Sequence, residues 1–263
     1  MVDLKQLEQD LTKPSAALIA DIKKIEGDII LLGIGGKMGV SMGKLAVDAL
    51  KAAGMNNRVI GVSRFSDTKA KAELEAVGIA TIACDLLNDA ELQQLPDAKN
   101  VIYLAGNKFG TTGKEGFTWA MNAYLPGRVA EKYKNSNIVA FSSGNVLPFV
   151  PVTSGGVAEN VTPEPIGEYA QSCLGRERIF EYFAKQNQTP ILIYRLNYAV
   201  DFRYGVLMEI AKSVLSEKEI DLTTENVNVI WQGDANEIAI RSLLHCEAPA
   251  KMLNVTGPET LSI

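Results

Sequence analysis

Histidine is almost absent from this 263-residue chain, which has only His245, and cysteine is sparse, at Cys84, Cys173 and Cys246. One histidine excludes a multi-histidine metal centre and argues against a serine–histidine–aspartate hydrolase. His245 falls in a late helical stretch and reads as structural. An odd number of scattered cysteines with no CxxC pair argues against a disulfide framework and against a zinc site, so no metal is expected. No run reaches the ~20 apolar residues that a membrane span requires. The opening residues MVDLKQLEQDL are acidic and amphipathic, unlike a signal peptide, so a cytoplasmic protein is expected. Basic residues are also in deficit, 26 Lys and Arg against 31 Asp and Glu, for a net charge of −5. No basic face is available for nucleic acid or an anionic membrane, and neither is expected as a partner.

What remains is ordinary globular material, 47% hydrophobic and 22% charged, long enough for one large α/β domain or one domain with a small appendage. Residues 1–26 read as a helical lead-in, with Leu4, Leu7 and Leu11 and then Leu18, Ile22 and Ile25 at helical spacing. From Asp28 the pattern changes to alternating strands and helices. The apolar runs are Ile29–Leu32, Val59–Val62, Ile79–Ala83, Val101–Leu104, Ile138–Phe141 and Ile191–Tyr194. Helical stretches lie near 38–53, 67–77, 117–134 and 168–187. Short unbroken apolar strands suit a parallel sheet buried on both faces. The expected fold is therefore α/β, a doubly wound Rossmann-type parallel sheet over residues 27–198. Residues 199–263 read as a small substrate-side cap interleaved with it. That region has a helix near 205–217, a strand at Val227–Trp231, a helix at 234–246 and a strand at Met252–Val255.

The first strand runs into Gly33-Ile-Gly-Gly36-Lys37-Met38-Gly39. The glycines fit GxxGxxG, while the GxGxxG register fails at Met38. Such a turn lets backbone N–H groups approach a pyrophosphate at a helix N-terminus, and the loop is read as binding a dinucleotide. The second strand ends in Ser63-Arg64, where an NAD binder usually carries an acid. Serine and arginine suit a 2′-phosphate, and Lys37 adds charge. NADP is therefore expected over NAD.

Further stretches follow in order. Cys84-Asp85-Leu86 follows the third strand and Leu104-Ala105-Gly106 ends the fourth. Asn122 lies in the next helix, Ser142-Ser143 ends the fifth strand, and Tyr169 follows 26 residues later. Trp231-Gln-Gly-Asp234 leads into a late helix. Over residues 27–263 this set resembles the short-chain dehydrogenase/reductase superfamily, closest to its extended branch of NAD-dependent epimerases and dehydratases. The resemblance implies that Asp85 and Leu86 lie against the adenine, with Leu104, Ala105, Gly106 and Asn122 along the cofactor. It also implies Tyr169 as acid/base on a substrate oxygen that Ser143 steadies. The implied substrate is a sugar, sugar acid or nucleotide sugar, and the usual homodimer contact would use 117–134 and 168–187.

Two departures are plain. Tyr169-Ala-Gln-Ser-Cys173 has cysteine where the family has a lysine that lowers the tyrosine pKa and holds the nicotinamide ribose. Arg195-Leu-Asn197-Tyr198 lacks the family's proline. Glu168 would raise the tyrosine pKa, whereas Arg176, seven residues beyond Tyr169 on the same helical face, could replace the lysine in part. The alternative is a nucleotide-binding regulator or partner subunit without dehydrogenase chemistry. Asn254–Ile263 resembles a lead into another helix, so either the cap is small or the natural chain continues.

Overall fold

Strand-forming runs buried on both sides make the centre of the molecule. The computed structural model describes residues 3–108, 110–222 and 224–263. The side chain of Leu4, part of the N-terminal leucine spacing, lies outside the described residues. In chain order the main strands are β1 (Ile29–Leu32), β2 (Val59–Ser63), β3 (Ala80–Ala83), β4 (Asn100–Tyr103), β5 (Asn137–Ser143) and β6 (Ile191–Leu196). The short β7 (Ala199–Val200), β8 (Asn226–Asn228) and β9 (Ile230–Trp231) follow, then β10 (Lys251–Val255) and β11 (Thr260–Ser262). One parallel sheet of seven strands has the order β10-β6-β5-β4-β1-β2-β3. This is the doubly wound order 3-2-1-4-5-6 with a seventh strand added at one edge.

Alternation along β1 sends its side chains into two cores. Ile29 and Leu31 pack with residues of α2 (Ala16–Ile22) and α3 (Gly39–Ala53), together with Ala235, Ala239 and Ile240. Ile30 and Leu32 pack on the other face with Leu92, Leu125, Val129 and Phe180. Those come from α5 (Asp89–Gln94), α7 (Leu125–Lys132) and α8 (Gly167–Asn187). Along the chain these helices are preceded by α1 (Leu4–Thr12) and interleaved with α4 (Thr68–Ala76) and α6 (Glu115–Trp119). Last come α9 (Val206–Leu215) and α10 (Gln232–Arg241). The N-terminal helices are tied on by Ser15, whose hydroxyl donates to Glu237 at 2.6 Å, and by Asp21, paired with Arg241 at 2.8 Å.

Three elements differ from the sequence expectation. Met252–Val255 was placed in a cap, but it forms β10, hydrogen-bonded in register to β6. The single strand expected at Val227–Trp231 is two, because β8 pairs with β11 and β9 with β7. Between them the Val229 carbonyl accepts from Gly257 N at 3.0 Å. The helix expected over 117–134 is interrupted by a π-helical turn at Ala120–Tyr124, closed by Leu125 N donating to Ala120 O. Pro126 has no N–H to offer the carbonyl four residues back, that of Asn122. That carbonyl takes Arg176 Nε instead, at 3.4 Å. Wide turns of this kind are frequent at functional sites.

Helix α8 is fastened to the sheet by a buried ion pair. Arg195 on β6 donates from Nε to Glu177 Oε1 at 3.0 Å and from Nη2 to Oε2 at 2.8 Å. Ser142 of β5 donates to the same carboxylate at 2.6 Å. The pair is all but inaccessible, at 2% and 0% exposure. Breaking a buried pair strands one charge, whereas removing both does not. Arg195→Met is expected to lose about 3–5 kcal/mol in urea denaturation. The double variant Glu177→Leu/Arg195→Met should lose clearly less, and equal losses would show that the fork carries no such weight.

Candidate functional site

The carboxyl ends of the parallel strands, with the loops that leave them, gather the residues singled out from sequence. At β1 the chain turns sharply through Gly33, at φ +96°, and a Cβ there would stand 2.8 Å from Ala105 N. The β1 and β4 loops therefore lie backbone against backbone. A Cβ on Gly39 would stand 2.3 Å from Ile34 O, so the first residue of α3 must also be bare. Gly36 is different: a Cβ there meets only Gly33 O, at 3.5 Å. Among the described residues no packing requires glycine at 36. The α3 N-terminus follows at once, with Met38 at the cap position making no side-chain bond to it. Uncapped helical amides beside a bare backbone form a cradle for an anion.

Around that cradle, Lys37 lies 4.5 Å from the ring centroid of Tyr204. Ser41, at the base of the turn, accepts from Gln232 and Asn236 of α10 at 2.7 and 2.9 Å. The Trp231–Asp234 stretch, read from sequence as part of a substrate region, thus docks its buried Gln232 against α3. Ser63 and Arg64 stand at the end of β2, and the Ser63 hydroxyl would lie 2.7 Å from a Cβ on Gly35. Arg64 is exposed and forms no ion pair with the described residues.

The remaining cofactor candidates divide by burial. Leu86 and Ala105 are buried in the sheet's core, so they could offer a ligand little beyond backbone. Leu104 packs against the opposite core. Asp85 is exposed, and its carboxylate accepts from Leu87 N at 3.1 Å, shaping the turn before Asn88 caps α5. Asn122, expected along the cofactor, is fully buried and committed to protein. Its Oδ1 accepts from Asn107 N and Arg176 Nη2, both at 2.8 Å. Its Nδ2 donates to Asn107 O at 2.9 Å and to Ser172 Oγ at 3.0 Å. Asn122 therefore shapes the loop that carries Gly106 and Asn107, with no polar valence left over.

Ser143, Tyr169 and Cys173 do come together. Ser143, at the end of β5, accepts from Asn145 N at 3.2 Å. Tyr169, in the first turn of α8, has its side chain near enough to Ser143 and Cys173 for both to act on its hydroxyl. Burial pushes the Tyr169 hydroxyl well above its usual range and Cys173 adds to that, while Arg176 and Ser143 pull it down. Cys173 is fully buried, and burial holds its thiol neutral, above its ordinary range. Glu168, expected to raise the tyrosine pKa, is not among the groups that act on it, and its carboxylate accepts from Trp119 Nε1 at 2.5 Å. Sequence reasoning missed Lys108, on the loop after β4. Desolvation pulls its ammonium below the usual range, and its charge acts on Cys173. The only sequence signal was a basic residue two positions beyond Gly106.

Among the described residues no group of three or more His, Cys, Asp and Glu could hold a metal ion, and no helix is long and apolar enough to cross a membrane.

The model of the NAD dependent epimerase/dehydratase family matches residues 29–246. No curated protein matches the chain. Among solved structures it is similar to UDP-glucuronic acid 4-epimerase from Bacillus cereus in complex with NAD. The identity is 20%, over 89% of this chain and 80% of that one, with a TM-score of 0.70. It is similar to dTDP-glucose 4,6-dehydratase from Bacillus anthracis in complex with NAD, at 13% identity, 90% and 77% coverage and a TM-score of 0.73. Pal from Bacillus thuringiensis gives 14% identity, 90% and 80% coverage and a TM-score of 0.75. Likeness at these identities establishes the fold.

The two glycines that differ in surroundings should differ in stability. Gly39→Ala is expected to lose about 1–3 kcal/mol, since its Cβ meets backbone that must shift. Gly36→Ala should change stability by less than ~0.5 kcal/mol. Thermal melts of the two variants decide, and a large loss in Gly36→Ala would assign that glycine to packing.

Proposed function

The chain belongs to the NAD dependent epimerase/dehydratase family, and from that premise we propose that it binds a nicotinamide dinucleotide and acts as an oxidoreductase on a sugar, sugar acid or nucleotide sugar. The observation that carries the reading is Gly36. A bare backbone that no packing among the described residues requires stands at an uncapped helix N-terminus, at the same end of the sheet where β5 ends in Ser143. The turn at Gly33–Gly39 would hold the pyrophosphate. Ser63 and Arg64, which forms no ion pair with the described residues, would hold a 2′-phosphate, which favours NADP over NAD. The two neighbours solved with NAD are enzymes of nucleotide sugars by name, and that supports the substrate class.

A bound nicotinamide would supply hydride exchange with a substrate carbon. The rest is work for this chain's own groups. Tyr169 holds the proton for the substrate oxygen. With burial and Cys173 pushing its hydroxyl upward, it stands protonated at neutral pH and enters as proton donor. Ser143, whose hydroxyl donates to Asn145 Oδ1 at 3.2 Å in the free protein, would turn to steady the same oxygen.

A second reading, a nucleotide-binding regulator or partner subunit without turnover, is favoured by one observation. Position 173 is a buried neutral thiol where the family lysine would stand. Turnover of a nucleotide-sugar and sugar-acid panel separates the two. The enzyme reading expects activity that falls at least ~100-fold in Tyr169→Phe, the scale of a general acid. No wild-type turnover, and no gain in Cys173→Lys, would leave the regulator.

Cofactor choice is checked separately by titrating NADPH and NADH with nicotinamide fluorescence. NADPH should bind tighter, and Arg64→Ala should weaken it about 10-fold or more with little change for NADH. Gly36→Ala should weaken both. Equal affinities in the wild type would remove the phosphate role of Arg64.

A further inference from the structure

Two arginines are buried near the end of β5, and they are treated oppositely. Arg195 is neutralised by Glu177. Arg176, 6% exposed, has no carboxylate partner among the described residues. Its guanidinium donates to neutral acceptors only: Phe141 O at 2.8 Å, Asn122 Oδ1 at 2.8 Å and Asn122 O at 3.4 Å. A buried charge without a counter-charge costs stability, and this one is built in at several places. Pro126 withholds the N–H that would compete for the Asn122 carbonyl. Gly106 has no side chain, and a Cβ there would stand 2.6 Å from Arg176 Nη2. The neighbouring carboxylate, Glu177, is taken up by Arg195 and Ser142. Tyr169, Cys173 and Arg176 follow one another at spacings of four and three on one stripe of α8, so each stands about one turn below the last.

We propose that Arg176 is the fixed cation of this site, supplying from one turn deeper in α8 the positive charge that position 173 does not. The proposal rests on the reading of Tyr169 as the proton-handling group. Arg176 is a positioning residue, acting through Tyr169 and through the Asn122-bonded loop at Gly106–Asn107. The electrostatics agree in direction: Arg176 draws both the Tyr169 hydroxyl and the Cys173 thiol downward, against burial. The other groups that face this stripe are Tyr103 of β4, whose ring centroid stands 5.9 Å from the Arg176 guanidinium, Ser143 from β5, Glu177 from α8 itself and Lys108 from the β4 loop. Lys37, from the glycine turn, acts on Lys108. Glu168 is turned to Trp119.

The test reads the tyrosine directly, without cofactor or substrate, so its outcome is independent of turnover. A fluorinated tyrosine is placed at 169, bringing the phenol into the pH range the fold tolerates, and is titrated by fluorine NMR. Arg176→Gln should raise the midpoint by about one pH unit, and Arg176→Lys should restore most of that. The swap Cys173→Lys/Arg176→Gln, which moves the charge one turn toward the tyrosine, should bring the midpoint to or below the wild-type value. An unchanged midpoint in folded Arg176→Gln would overturn the proposal. If that variant does not fold, Arg176 is a structural clamp and the proposal is overturned.

Discussion

The Glu177–Arg195 fork is the constraint on which the site depends. Helix α8 carries Tyr169, Cys173, Arg176 and Glu177, yet it reaches the sheet through a long loop after β5. Apolar packing through Phe180 and Ala184 holds its second half against the core, but hydrophobic contact is non-directional and tolerates sliding. A carboxylate that accepts two bonds from one guanidinium and one from Ser142 tolerates far less. It locks α8 axially and in rotation to the ends of β5 and β6. With that register set, Tyr169 falls beside Ser143, and the Arg176 guanidinium reaches Phe141 O and Asn122.

Such a fork is an expensive way to join a helix to a sheet, since both ions leave water. Here the carboxylate's bonding is completed by Ser142, and the guanidinium adds a bond to Glu159 O at 3.3 Å. The compensation is geometric: the pair admits one arrangement of helix on strand, where a leucine contact would admit several. It also removes Glu177 as a counter-ion for Arg176, its neighbour in sequence.

What the sequence made legible follows from local pattern. Ile29–Leu32 and Ile138–Phe141 announce themselves as strands because both faces are buried and every residue is apolar. The glycine turn is legible because its glycines recur at a fixed spacing within seven residues, although Gly33 answers to the distant Ala105 backbone and only Gly39 to its neighbour Ile34. The seventh strand was not legible. Lys251-Met-Leu-Asn-Val255 lies at a sheet edge, and its mixed polarity matches a cap as well as a core strand. The π turn had a signal that the pattern of apolar residues overrode: Pro126 falls in the interior of the stretch 117–134, where a proline breaks the helical ladder. Asn122 was placed beside the cofactor by resemblance, and its fully engaged amide became visible only once Arg176 and Asn107 were seen around it. Glu177 and Arg195 lie 18 residues apart on different elements, and no periodicity links them.

Tyr169 concentrates the physical conflict of the site. Burial and a neutral thiol favour its protonated form, and the attraction that opposes them comes from deeper in the helix. A lysine ammonium at position 173 would be in contact with the phenol. The Arg176 guanidinium acts at longer range, but it is held rigidly by three bonds to neutral acceptors and does not spend its charge on a carboxylate. A weaker field that is fully preorganised can still bias a proton, because no reorganisation is needed when charge develops on the phenol oxygen. Cysteine at 173 therefore trades a flexible cation near the hydroxyl for a fixed one beneath it, with a fully buried thiol between them in sequence.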